Sequence, residues 1–319
     1  MRTLCNLFLS VVLGGCAGSI DLQAHRGGRG LLPENSLPAF ANALKMGVTT
    51  LELDTGITRD GVVVIGHDPV LNPDVTRGPD GKWLTQKGPS IYSLTFAELQ
   101  QYDIGRINPD SKYARQFPSQ RAIDGLRFAT LAELFSQVNA GGDTQVRINI
   151  ETKITPFQRD ETVGPEEFVN ALLRVIDAHG MRSRVSLQSF DWRTLKIAQQ
   201  KVPPIPTVYL SAQQKFFDSI GTGTREGSAW TAGLNAREFG DSVAHMVKAS
   251  GGAAWSPYFR DIDQAKVREA QALGLQVIVW TVNEAADIER MLNWKVDGII
   301  SDYPDRVRTI LAARNMRVR

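Results

Sequence analysis

Two carboxylates and a histidine stand close together in the run LELDTGITRDGVVVIGHD, residues 51–68. Leu51 and Leu53 alternate with Thr50, Glu52 and Asp54, the pattern of a strand. Glu52 and Asp54 therefore share a face, about 6–7 Å apart along the chain. A turn at Gly61 leads into the apolar VVVI, which delivers His67 and Asp68. RINIETK (147–153) adds Glu151 and Lys153, and DLQAHR (21–26) adds His25 and Arg26. Carboxylates on one strand face can hold a cation or pair with rim cations such as Arg26 and Lys153. Histidines near neutral pH can move protons. Which chemistry is present depends on whether the fold gathers these strand ends.

Short apolar strands alternate with helical patterns along most of the chain. DLQAH (21–25) precedes the helix SLPAFANALKMG, with Asn35 read as its N-cap and Gly47 as its stop. TLELD follows. RINIE precedes PEEFVNALLRVIDAHG, RVSLQSF precedes DWRTLKIAQQK, and PTVYL precedes a Gly-rich loop and DSVAHMVKAS. AAWSP, LQVIVWT and DGIISD each precede a further helix. With TLAELFSQVN (130–139) as the helix after the second strand, eight strand–helix units result. The alternation predicts an α/β protein with a parallel sheet, and eight units predict a (β/α)8 TIM barrel. A doubly wound open sheet is the alternative, although no GxGxxG follows the first strand. The segment from about 69 to 128, rich in Pro, Gly, Asp and aromatics, breaks the rhythm. It reads as an insertion after the second strand. Barrel chemistry sits at strand C-terminal ends. His25 ends the first strand, Glu52 and Asp54 the second, and Glu151 and Lys153 the third. Gln188 ends the fourth, Trp280 and Asn283 follow the seventh, and Asp302 follows the eighth. The expectation is a polar rim above an apolar core.

Of 319 residues, 42% are hydrophobic and 22% charged, ordinary values for a folded domain. A formal charge of +2 without a basic block argues against nucleic-acid binding. Residues 1–19, MRTLCNLFLSVVLGGCAGS, run from one basic residue through an apolar stretch to small residues, as in a secretory signal peptide. LGGC also resembles a lipobox, in which Cys16 would be lipidated and tether the protein to a membrane; ordinary cleavage just after Ala17-Gly18-Ser19 is the other reading. A first strand beginning near Asp21 leaves almost no tether. Both cysteines, Cys5 and Cys16, fall in or beside this leader. The domain of residues 20–319 then has no disulfide and no thiol nucleophile. The expected location is outside the cytoplasm: periplasmic, or anchored to the envelope.

AHRGGRGLLPENSLPAF, LELDTGITRDGVVVIGHD, IETK, QSF, WTVN and DGIISDYP, in this order from about residue 22 to 305, resemble the glycerophosphodiester phosphodiesterase family. The two long motifs are specific, and the short ones support them. The resemblance implies a TIM barrel with an insertion after its second strand. It implies Glu52, Asp54 and Glu151 as ligands of one divalent cation, Ca²⁺ or Mg²⁺, and His25 and His67 as the acid–base pair. Arg26 and Lys153 would contact phosphate, and Trp280 would line the glycerol side. The implied substrate is a small glycerophosphodiester, a deacylated phospholipid, cleaved to sn-glycerol 3-phosphate and an alcohol. The chemistry fits the residue types. A phosphodiester resists nucleophiles until positive charge meets its oxygens and a base and an acid serve the entering and leaving groups. Attack by the glycerol 2-hydroxyl through a cyclic phosphate is the expected route.

Plainer roles exist for each residue. His25 can be a strand-end histidine, His67-Asp68 a turn, Glu151 and Lys153 an ion pair, and Trp280 a core ring. Gln188, Asn283 and Asp302 can brace the rim. His179 precedes Gly180 as a helix C-cap, and His245 is read as structural. The aromatics of 83–117 fill the insertion's own core or meet a lipid-like head group. Two rival functions remain: phospholipase D-like action on lysophospholipids, which needs an apolar groove beside the site, and a non-catalytic envelope lipoprotein that binds ligands.

Overall fold

The computed structural model describes residues 18–319 apart from 159, 202 and 203. Residues 1–17, which hold Cys16 and all of the leader but Gly18 and Ser19, lie outside the described residues. Eight parallel strands form the barrel: β1 (Ser19–Ala24), β2 (Thr50–Ile57), β3 (Arg147–Thr152), β4 (Val185–Ser189), β5 (Thr207–Ser211), β6 (Ala254–Pro257), β7 (Gln276–Val279) and β8 (Gly298–Ser301). Each pairs with the next, and β8 pairs with β1 in register Asp21↔Gly298 through Ala24↔Ser301. The ring therefore closes, which excludes the open doubly wound sheet. The β1–β2 pairing is short, Gln23↔Thr50 and Ala24↔Leu51. That of β2 with β3 runs from Thr50↔Arg147 to Thr55↔Thr152.

A helix follows each strand: α1 (Leu37–Met46), α2 (Leu131–Ala140), α3 (Pro165–Ala178), α4 (Trp192–Gln200), α5 (Val243–Ala249), α6 (Gln264–Ala272), α7 (Ala285–Asn293) and α8 (Pro304–Ala313). Local sequence sets their ends. α1 stops at Gly47 in the left-handed conformation, as the sequence predicts. Its N-cap is Ser36 rather than Asn35: the Ser36 hydroxyl accepts from the Ala39 amide at 3.3 Å. Asn35 has a φ of 54° and turns its side chain into the barrel mouth. His179 caps α3, its ring 2.9 Å from the Val175 carbonyl. His245 lies on α5, where Nε2 meets Glu269 at 3.5 Å.

Alternate residues of each strand face opposite ways. Leu51, Leu53, Ile148 and Ile150 point outward and are buried beneath the helices with Phe40, Phe135, Phe168 and Trp192. Each such side chain contributes about 1.5–3 kcal/mol by leaving water. The lumen departs from the expected apolar core. Among the described residues, Val208, Ala254, Ile278 and Ile300, with Trp280 above them, form an apolar cluster there. Beside it, and below Leu210, runs a buried polar ladder. Thr50 and Gln23 donate to Asp21 at 2.7 and 2.9 Å, and Asn149 donates to Gln23 and Gln188 at 3.1 and 2.8 Å. Gln188 then donates to Glu52 at 2.6 Å. Alternation alone hides this, because a lumen position is buried whatever its polarity.

β1 begins at Ser19, earlier than Asp21, and Ser19 and Ile20 pair with a short strand, Arg317–Val318. After β2 the Gly61 turn, with φ 81°, returns the chain as an antiparallel strand, Val63–Ile65. The insertion follows and has its own core of Leu71, Ile91, Leu99, Ile104 and Phe128 beneath Val64, with Tyr102 packed against it. Trp83 lies outside that core under Arg77, and Tyr113 and Phe117 pack on Arg29 at the barrel mouth.

Candidate active site

The barrel brings all the expected residues to one end. Glu52, Asp54 and Glu151 each offer an oxygen within 4.8 Å of the others. Asp54 and Glu151 are register neighbours on β2 and β3, and Glu52 sits two residues below Asp54 on the same face. All three are buried. Their proximity in a dry site disfavours full ionisation. Burial and Asp54 raise Glu52 well above the carboxylate range. Burial raises Glu151 to about 7, with Asp54 adding and Lys153 opposing. Asp54 goes the other way: burial would raise it, but Arg26, His67 and Lys153 outweigh that and hold it low. Three clustered oxygen donors that a bound cation would let ionise together fit a hard divalent cation.

Backbone and side chains pin these acids. The Arg26 amide donates to Glu52 Oε2 at 2.9 Å, and Asn35 Nδ2 donates to Asp54 Oδ2 at 2.9 Å. Arg26 has φ 50°, which folds the chain after β1 over the barrel end. Its guanidinium meets Glu34 at 2.7 Å and Asp54 at 3.2 Å. Lys153 Nζ lies 3.0 Å from Glu151, 3.8 Å from Asp54 and 3.0 Å from His67 Nε2. Both cations therefore stand among the acids.

His25 Nδ1 lies 2.6 Å from Asp302 Oδ1, so the N–H donates to the carboxylate. Nε2 is left facing the site, 4.0 Å from Glu52. Burial, then Arg29, lowers the ring to about 4 against the pull of Asp302. His67 donates from Nδ1 to Asp68 at 2.8 Å, and its Nε2 takes the Lys153 contact. Burial, Arg26 and Lys153 lower it too. Both rings are neutral in this arrangement. They line one cavity of about 120 Å³ with Glu52, Glu151, Lys153 and Trp280. Trp280 is only half-buried and donates its Nε1 to the Ser256 carbonyl at 3.0 Å.

Three residues proposed as rim braces do more. Gln188 holds Glu52. Asn283 donates to Asp302 at 2.7 Å and accepts from its amide at 2.9 Å. Arg29, Glu34 and Tyr113 are additions. Arg29 Nε reaches Asp302 at 2.6 Å, Arg29 Nη1 reaches Tyr113 at 3.0 Å, and Tyr113 donates to Glu34. Arg29 and Glu34 lie inside the HRGGRGLLPEN motif, which marked them as neighbours of the site. Tyr113 carries no such signal, because only tertiary folding brings the insertion back to β1.

Residues 25–306 match the model of the glycerophosphoryl diester phosphodiesterase family. The glycerophosphodiester phosphodiesterase of Bacillus subtilis (strain 168) is 27% identical over 88% of this chain and 83% of its own length. That of Caldanaerobacter subterraneus is 27% identical over 88% and 93%. A crystal structure assigned by name to a glycerophosphoryl diester phosphodiesterase of Silicibacter pomeroyi DSS-3 superposes with a TM-score of 0.83 at 34% identity, covering 95% of this chain and 97% of that one. The chain belongs to the glycerophosphoryl diester phosphodiesterase family. It is a phosphoric diester hydrolase acting on glycerophosphodiesters.

Proposed function

We propose that the enzyme is metal-dependent and uses His25 and His67 to hydrolyse deacylated phospholipids to sn-glycerol 3-phosphate and an alcohol. The observation that carries this reading is the convergence of both histidines, two of the three clustered acids and Lys153 on one small cavity. Glu52, Asp54 and Glu151 would hold Ca²⁺ or Mg²⁺, which supplies positive charge to the phosphate oxygens. The fold neighbour from Oleispira antarctica, 23% identical with a TM-score of 0.66, is a phosphodiesterase in complex with the product sn-glycerol-3-phosphate.

The protein's own groups divide the work. Asp302 fixes His25 as the Nδ1–H tautomer, so Nε2 is a base that takes the proton of the attacking hydroxyl. Lys153 faces the Nε2 of His67 and, with substrate bound, turns its charge to the phosphate. His67, once Lys153 has left its Nε2, takes a proton there from solvent and passes it to the leaving alkoxide, while Asp68 accepts from Nδ1–H and steadies the imidazolium.

The test is glycerol 3-phosphate release from glycerophosphocholine with added Ca²⁺ or Mg²⁺, with EDTA, and with His25→Ala. Metal-dependent release lost in the variant supports the reading. Full activity in EDTA removes the metal, and full activity of His25→Ala removes the histidine. Export, with or without a lipid on Cys16, belongs to the same proposal and is checked by mass spectrometry of the mature N-terminus.

A further inference from the structure

Residues 113–121 of the insertion lie against the loop that follows β1. The Arg29 guanidinium stands over the Phe117 ring, 4.8 Å from its centre, and Tyr113 meets Phe117 edge-on at 5.0 Å. The Gln120 side chain donates to the Arg29 carbonyl at 2.7 Å, and the Arg121 amide donates to the Leu31 carbonyl at 3.0 Å. These contacts dock the segment without help from the Tyr113 hydroxyl. That hydroxyl joins two charged groups instead. Burial would raise Glu34, but Arg26 and Arg29 outweigh it and keep the group ionised, an acceptor only. A guanidinium can only donate, and a phenol does one of each. Tyr113 donates to Glu34 and accepts from Arg29 Nη1 at 3.0 Å. Burial and the Glu34 carboxylate push the phenol well above its ordinary value, so it keeps the proton that it donates. Glu34 is fixed in its turn by Arg26 at 2.7 Å. Arg29 Nε and His25 Nδ1 meet the same oxygen of Asp302, Oδ1, each at 2.6 Å.

We propose that Tyr113 is a positioning residue for the hydrolysis, acting through Arg29 and Asp302 on the His25 ring, a role that rests on the phosphodiesterase reading with His25 as base. Tyr113 is not among the residues that line the polar cavity, so it works through others. The lever is the shared oxygen. Asn283 takes Oδ2 of Asp302 at 2.7 Å, which leaves Oδ1 to serve Arg29 and His25 together. A guanidinium free to turn would draw that oxygen away from the imidazole. Stacking on Phe117 fixes the plane of the Arg29 fork but not its rotation within the plane. The rotation is fixed by pinning the fork at two ends, Nε on Asp302 and Nη1 on Tyr113. A phenylalanine at 113 would keep the plane and lose the second pin. The insertion thus supplies a strut to a base that sits on β1. A phenol that merely tied the insertion down would lose its worth independently of Asp302, whereas a strut acting through Asp302 makes the two losses overlap.

The experiment is a double-mutant cycle on glycerophosphocholine hydrolysis with Tyr113→Phe and Asp302→Asn. Tyr113→Phe alone should lower kcat roughly tenfold and move KM by less than about twofold, the mark of a group felt in the transition state. In the Asp302→Asn background the same change should cost less than about threefold, because the path to His25 is already cut. Equal losses in the two backgrounds overturn the proposal and leave the phenol a structural tie. An unchanged kcat overturns it as well. The His25 ring gives a second readout that needs no turnover. Its Nδ1–H proton, bonded to Asp302, resonates downfield in NMR spectra and is assigned by its loss in His25→Ala. Tyr113→Phe should move that resonance upfield and speed its exchange with water about threefold or more. A loss of kcat with the resonance unmoved would place the action of the phenol elsewhere and overturn the proposal. A wild-type protein that cleaves no glycerophosphocholine with Ca²⁺ or Mg²⁺ sinks the phosphodiesterase reading. A shifted resonance would then still keep Tyr113 as the strut of His25, and an unshifted one would sink both.

Discussion

His25 Nδ1 and Asp302 Oδ1 lie 2.6 Å apart, joining the residue after β1 to the residue after β8. Asp302 is held in turn by Arg29 and Asn283. In the proposed mechanism Asp302 positions His25 as a base that it does not replace. Asp302→Ala should lower kcat by roughly 10–100-fold, and His25→Ala by about 10²–10⁴-fold, the usual worth of a general base. Steady-state kinetics on glycerophosphocholine check both. Equal losses in the two variants would mean that Asp302 does more than orient the ring.

The same carboxylate links stability to acid. Burial would raise Asp302, but Arg29 and His25 outweigh it and hold the group well below the carboxylate range. A carboxyl with a depressed folded-state pKa stabilises the protein above its ordinary value of 3.8 and loses that contribution as pH falls toward the folded value. Urea unfolding at pH 6 should show Asp302→Asn less stable than wild type. The gap should close below pH 4 by up to about 1.4 kcal/mol per pH unit. A gap independent of pH would leave the Asp302 contacts without an electrostatic share.

Cation binding should show itself apart from activity. Glu52, Asp54 and Glu151 repel one another, so Ca²⁺ or Mg²⁺ should raise the melting temperature of EDTA-treated protein. At a hundred times Kd the stabilisation is about 2.7 kcal/mol. Glu151→Gln should reduce the shift. An unchanged melting temperature across millimolar Ca²⁺ and Mg²⁺ would count against the site.

The lumen ladder gives a stability prediction. Asn149→Ala strips Gln23 and Gln188 of a donor and the Ser186 hydroxyl of its 2.8 Å acceptor. The expected cost is roughly 1–3 kcal/mol for buried groups left unpaired. Because Gln188 also holds Glu52, metal affinity should weaken as well. Denaturant unfolding and cation titration of the one variant measure both.

Much of this was legible in the sequence because strand alternation and strand ends are local properties. The repeating strand–helix rhythm predicted the barrel, and the polar residues at strand ends predicted which end gathers the acids and histidines. Glu52, Asp54, Glu151, His25, His67 and Lys153 converge as read. Asn35 was misassigned because an asparagine before a helix suits an N-cap, while its real partner, Asp54, comes from a different strand. The polar lumen and Tyr113 were missed for a related reason. Burial of Gln23 or Asn149, and the return of the insertion to Arg29, depend on closure of the whole ring.

The short pairing of β1 with β2 has a mechanical meaning. Where β2 and β3 are laced along six residues, β1 and β2 share only Gln23↔Thr50 and Ala24↔Leu51. Above that point the two strands are joined through the acids themselves, by the Arg26 amide on Glu52 and Asn35 on Asp54. Glu52 and Asp54 thus also act as a clasp across this short join. Both bonds need a carboxylate oxygen as acceptor, so a substitution at Glu52 or Asp54 would loosen the ring at this join as well as alter the acid cluster.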